Sequence, residues 1–227
     1  MRHAILFLLC LLAGTSAHAL SLADLSEKDA VAGLKEALDK GTGSAVSKLG
    51  KPDGFLGNPQ VKIPLPDTLQ KADRALNRFG MGKYTQELVV SMNRAAELAV
   101  PEAKTLLLNA VKQMTVQDAK NILTGGNTAA TDYFRAKTSQ PLAAKFLPIV
   151  QQATARVQLA QKYDQFAGKA QRLGLLDEKQ ANLEQYVTQK ALDGLFFMIA
   201  EEEKAIRADP VGQSSKLLKK VFGAIKF

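Results

Sequence analysis

Apolar residues recur three and four positions apart along this chain, and alternation by two is rare. Such spacing suits helices packed by one face and leaves little for a sheet. The clearest stripe is Leu88, Met92, Ala95, Ala96 and Ala99, narrow enough to let another backbone approach closely. Leu107, Val111 and Met114 continue a buried seam past Pro101, which either starts a new helix or kinks the one before it. Thr115 with Asp118 makes a capping pair for a short helix ending at Gly125-Gly126. Thr128 to Lys137 and Pro141 to Val157 read as two further helices, with Pro141 in a first turn. The longest helix is expected from Lys179 to Ala208, stopped by Pro210, and Ser214 or Ser215 caps a last basic helix to Phe222.

Toward the N-terminus, Ser26 and Asp29 open a helix carrying Val31, Leu34 and Leu38. Glycines at 41, 43, 50, 54 and 57 then break the chain, and a later helix runs from Asp67 to Arg78. Val61-Lys62-Ile63-Pro64-Leu65-Pro66 is the one stretch with period two. Its two prolines forbid a central strand, so an extended segment across helices or a short edge pair is expected. The fold class is all-α: a single irregular domain of about eight helices, with one extended or edge-strand segment near residues 60–66.

The first residues carry a different signal. Arg2 supplies a positive charge, Ala4 to Gly14 is apolar, and Ala17-His18-Ala19 has the small-x-small form of a signal-peptidase site. Residues 1–19 are therefore expected to be a cleavable signal peptide, and residues 20–227 one helical domain that is periplasmic or secreted after cleavage between Ala19 and Leu20. As a helix the apolar run reaches only about 17 Å, roughly half the hydrocarbon core. No transmembrane helix is expected in the mature chain.

Cleavage there has a chemical consequence. His3, His18 and Cys10 are the only histidines and cysteine, and the chain has no tryptophan. The mature domain would lack Ser-His-Asp and Cys-His sites, thiolate or imidazole metal sites, and disulfides. No metal and no cofactor are expected, and the core alone must hold the fold. The mature chain keeps 29 Lys+Arg against 22 Asp+Glu, a net charge of +7. Outside the cytoplasm, that charge suits anionic lipid, lipopolysaccharide or cell-wall polymer. Aromatic residues are few and not interleaved with Lys or Arg, so no nucleic-acid partner is expected.

The candidate site residues are polar groups on helical faces. In the long helix, Glu202 and Glu203 interrupt the stripe Leu192, Leu195, Phe196, Ile199, Ile206, so one carboxylate is directed toward the core. Arg207 and Arg94 are its candidate partners, and Asp209 would complete an oxygen-only cation site. Asn93, Arg94 and Glu97 lie beside the alanine stripe, and Thr131 and Tyr133 follow Gly126. Together these form a candidate polar pocket or a buried network. Gly194 is read as a close helix crossing against Ala129 and Ala130, and Lys190 and Asp193 as an exposed ion pair. Lys216, Lys219, Lys220 and Phe222 belong to a basic amphipathic tail that either docks on the core or faces a membrane surface.

Several stretches resemble the exported bacterial family known as domain of unknown function 4197. They include Lys62 to Pro66, Met92-Asn93-Arg94-Ala95-Ala96-Glu97, Met114-Thr115 through Asp118-Ala119, and Ala129-Ala130-Thr131 before Tyr133-Phe134. They continue through Tyr186-Val187-Thr188, Lys190 to Phe196, Glu201 to Glu203 with Ile206-Arg207, Asp209-Pro210, and Leu217 to Gly223. The resemblance implies a signal-bearing helical domain, supplies no catalytic residue, and favours a docked tail. Three readings of function follow. The first is a non-enzymatic periplasmic binding or interaction module. The second is an envelope protein contacting anionic lipid through its basic C-terminal helix. The third is a carboxylate-based hydrolase or lyase using Glu202 or Glu203.

Overall fold

A computed structural model describes residues 27–67, 69–70, 82–155 and 182–209. Within them the chain is helical, and no strand occurs. The helices are α1 (Glu27–Leu49), α2 (Gly82–Ala99), α3 (Ala103–Gln113), α4 (Val116–Thr124), α5 (Ala129–Thr154) and α6 (Leu183–Ala208). A 3-10 turn, Val100–Glu102, joins α2 to α3, with Pro101 in its first positions, where a missing N–H costs nothing. The expected signal peptide, most of the Asp67–Arg78 helix and the C-terminal basic helix lie outside the described residues. The expectation of about eight helices therefore stands against six α-helices among the described residues.

α6 is the central member. It buries Leu183, Val187, Ala191, Leu195 and Ile199 at spacings of four, and Leu192, Phe196 and Met198 widen that stripe. It packs against α5, α1 and α2. Asn182 starts it by accepting the Gln185 N–H at 2.7 Å. The Thr115–Asp118 capping box opens α4 as the sequence suggests, each side chain bonding the other's backbone N–H.

Two helix boundaries differ from expectation. Gly41 and Gly43 do not break the chain; α1 runs through them to Leu49 and stops before Gly50. Gly41 is buried and faces α6, where a Cβ would sit 3.5 Å from Ile206 and 3.6 Å from Glu202, ordinary contact distances that do not require glycine. The expected pair of helices at 128–157 is one helix, α5, with Pro141 and Pro148 inside it. Both prolines are exposed, as are Lys137 and Ala144, whose carbonyls lose their intrahelical donors. Because that seam faces water, the helix continues past both prolines.

The stretch from Gly50 to Pro66 is a strap of turns and extended chain. From Val61 to Leu65 burial alternates, with Val61, Ile63 and Leu65 inward and Lys62 and Pro64 outward. The period-two pattern thus holds, but it marks an extended segment lying on helices; no edge pair forms. Phe55, fully buried, lies against Gly194 of α6, where a Cβ would come within 2.6 Å of its ring and 3.3 Å of Val61. Gly194 therefore receives a side chain from the strap, a correction to the expected crossing with Ala129 and Ala130.

Three outcomes follow for stability. Gly194→Ala gains about 1 kcal/mol of helix propensity but loses about 1–3 kcal/mol to overpacking, so the urea midpoint falls. Gly43→Ala, where a Cβ meets nothing within 4 Å, raises the midpoint, by about 0.5–1 kcal/mol. At Asp118 the bonds from Thr115 backbone N–H and hydroxyl hold the carboxyl below its ordinary range. Its contribution is present above the ordinary carboxylate range and is lost as pH falls through the lowered folded value. Asp118→Asn should therefore narrow the stability difference between neutral and acid pH.

Candidate functional site

Glu203 and Arg207 are one turn apart on α6 and both are buried, at 7% and 5% exposure. Apolar neighbours on the stripe carry them inward, so each charge must find partners inside the protein. Glu203 Oε1 accepts from the Ala130 N–H at 3.0 Å and from Arg207 Nε and Nη2 at 3.1 and 2.8 Å. Its Oε2 accepts from the Thr131 N–H at 2.9 Å and the Thr131 hydroxyl at 2.8 Å. Ala130 and Thr131 lie in the first turn of α5, whose own N-cap residue, Thr128, makes no side-chain capping bond. A carboxylate from another helix thus caps α5.

Arg207 does the converse. Its Nη2 also donates to the Ile122 carbonyl at 2.9 Å, in the last turn of α4. The negative group meets a helix N-terminus and the positive group a helix C-terminus, as the helix dipoles favour. Beside the pair is a cavity of about 20 Å³, lined by Leu34, Ala37, Leu38, Ala130 and Ile206 as well as the two charged residues. That is room for about one water molecule.

The remaining sequence candidates divide into separate contacts. Glu202 pairs with Lys48 of α1. Arg94 does not reach α6's carboxylates; it donates to Glu97 Oε2 at 2.6 Å and to Asp53 at 2.8 Å. Glu97 Oε1 accepts the N–H groups of Phe55 and Leu56 at 3.0 and 3.1 Å. Asn93 Oδ1 accepts the Ile63 N–H at 2.8 Å, while its Nδ2 donates to the Ile63 and Val89 carbonyls at 2.9 and 2.8 Å. Tyr133 donates to the Ala110 carbonyl at 3.0 Å, and burial pushes its phenol above the ordinary range.

Asn93, Arg94 and Glu97 therefore serve the strap, while Thr131, Glu203 and Arg207 serve two helix ends. Gly194, which meets the strap, and Glu203 are separated along α6 by about 13 Å. One shared pocket is not what these residues form; they make two buried networks. Lys190 lies over the Tyr186 ring, and Asp193 faces Gln189 and Arg135 in place of the expected partner Lys190. Asp209 is exposed, and among the described residues no group of three acidic side chains could hold a metal ion. Lys216, Lys219, Lys220 and Phe222 lie outside the described residues.

Sequence reasoning missed Phe55, Ile63 and Asp53 as members of these networks. The Asp53-Gly54 dipeptide was the available signal, a turn pair whose aspartate adopts φ +64°. A family model described as protein of unknown function (DUF4197) matches residues 24–223. The chain belongs to the DUF4197 family. Neither a curated protein nor a solved structure matches it. For this DUF4197 protein, the matched span includes both buried networks and the strap. Among the described residues no helix is long and apolar enough to cross a membrane.

The Glu203–Arg207 pair can be tested directly. Glu203→Gln leaves a buried cation without its countercharge and should cost about 3–5 kcal/mol. The double variant Glu203→Leu/Arg207→Met should lose less than the sum of the two single variants. A thermodynamic cycle from urea melts reads the coupling; additive losses would show that the two charges act independently.

Proposed function

We propose that this protein is an exported, periplasmic interaction module without a catalytic centre, acting through its surface and its strap. The observation that carries the reading is the occupancy of the two carboxylates buried among the described residues. Glu203 accepts from two backbone amides, a hydroxyl and an arginine, and Glu97 from two backbone amides and an arginine. A general acid or base needs an oxygen turned toward a substrate. These oxygens are turned toward helix ends and a loop. The hydrolase or lyase reading asked for Glu202 or Glu203 in a cleft; Glu203 beside its 20 Å³ cavity gives that reading no support.

Export is supported by the sequence of residues 1–19, with its charge, apolar run and Ala17-His18-Ala19. Native mass spectrometry of the protein released from its own periplasm tests both parts. A chain beginning at Leu20 and carrying a retained partner or ligand is the expected result. An uncleaved N-terminus overturns export, and a bare chain at every concentration overturns the interaction reading.

A further inference from the structure

The strap is held in the manner of a bound peptide. It runs antiparallel to both α2 and α6. Phe55 and Leu56 meet Glu97, and Ile63 meets Asn93 four residues earlier on α2. Along α6, Asn58 approaches Met198, Phe55 and Val61 meet Gly194, and the Tyr186 hydroxyl donates to the Pro64 carbonyl at 3.0 Å. From Gly194 to Tyr186 a helix rises about 12 Å, and the chain from Val61 to Pro64 spans about 10 Å when extended, after a turn in which the Asn58 carbonyl accepts the Val61 and Lys62 N–H groups. Residues 62–66 therefore follow the groove between the two helices in extended form, and the residues before them are turns.

Its recognition has two parts. Asn93 reads the backbone, taking both the N–H and the carbonyl of Ile63 with one side-chain amide. Alternate pockets read side chains, with Val61, Ile63 and Leu65 at 7%, 1% and 7% exposure. Proline suits the outward place at residue 64, because the missing N–H there leaves no donor to satisfy. Main-chain bonds for affinity and alternate pockets for specificity are the means by which extended peptides are bound. Among the described residues no ladder joins this segment to a neighbouring strand; the side chains of Asn93 and Tyr186 hold its backbone from the two helices.

We propose that the groove between α2 and α6 is a peptide-binding site that residues 61–66 fill in cis. Its ligand in trans is an extended peptide with apolar residues at alternate positions and proline between them. This inference rests on the interaction reading and names the site through which it would act.

The test uses a fluorescein-labelled peptide of residues 58–67, followed by anisotropy. Ile63→Gly/Leu65→Gly weakens the internal occupant without touching the groove. That variant, folded by circular dichroism, should bind the peptide at least tenfold more tightly than the parent, and adding Asn93→Ala should reverse the gain. A folded variant that ignores the peptide overturns the proposal. Should that variant not fold, native-state hydrogen exchange on the parent decides. The Ile63 amide should exchange at least tenfold faster than those of Leu88 and Leu195, and exchange with them in one global event overturns the site. A partner retained in native mass spectra together with a failed strap test leaves the interaction reading standing and removes this one.

Discussion

The carboxylate of Glu203 stands where three helices end or cross. It is carried inward by α6, it closes the N-terminus of α5, and through Arg207 it is tied to the C-terminus of α4. Burying a charge is costly unless every oxygen is bonded, and here the bonds come from groups that would themselves lack partners at helix ends. The cost of one buried ion pair and the deficit of two helix termini offset each other. With no cysteine among residues 20–227, no disulfide can fix those ends, so the pair sets how α4, α5 and α6 meet.

The same solution recurs on α2. Glu97 and Asn93 are placed inside by the alanine stripe beside them, and both turn to backbone groups of the strap. Seventeen residues without regular hydrogen-bonding are thereby accommodated against a helical core. Polar side chains on helices supply what a sheet partner would otherwise provide. Phe55 at Gly194 adds the apolar anchor, and it works because glycine leaves space where any other residue would fill it.

What could be read from the sequence divides along lines of distance. Local signals were legible: the Thr115–Asp118 capping box, the stop before Pro210 and the stripe through Leu88 and Met92 all act within a few residues. The pairing of Glu203 with Arg207 was legible for the same reason, a spacing of four on one helix. Their targets were not, since Thr131 and Ile122 are 72 and 85 positions away. Asn93 stood out as polar beside a buried stripe, but nothing local tied it to Ile63. The glycines of α1 and the prolines of α5 misled because their local preference is to interrupt a helix. At Gly41 burial of α1 against α6 overrides that preference, and at Pro141 and Pro148 an exposed outer seam tolerates it.

The prolines of the strap have a consequence for the chain before it folds. Val61, Ile63 and Leu65 alternate with other residues in the pattern that seeds intermolecular strands when it is exposed. Before it folds, the chain presents such a segment to its neighbours. Pro64 and Pro66 each remove an N–H donor from one edge of that segment, so a growing ladder would lack two of its bonds. Once folded, the segment needs no ladder, because Asn93 serves Ile63 and Tyr186 serves Pro64. The strap thus carries its own safeguard against aggregation, and the groove that receives it is built so that the safeguard costs the native state little.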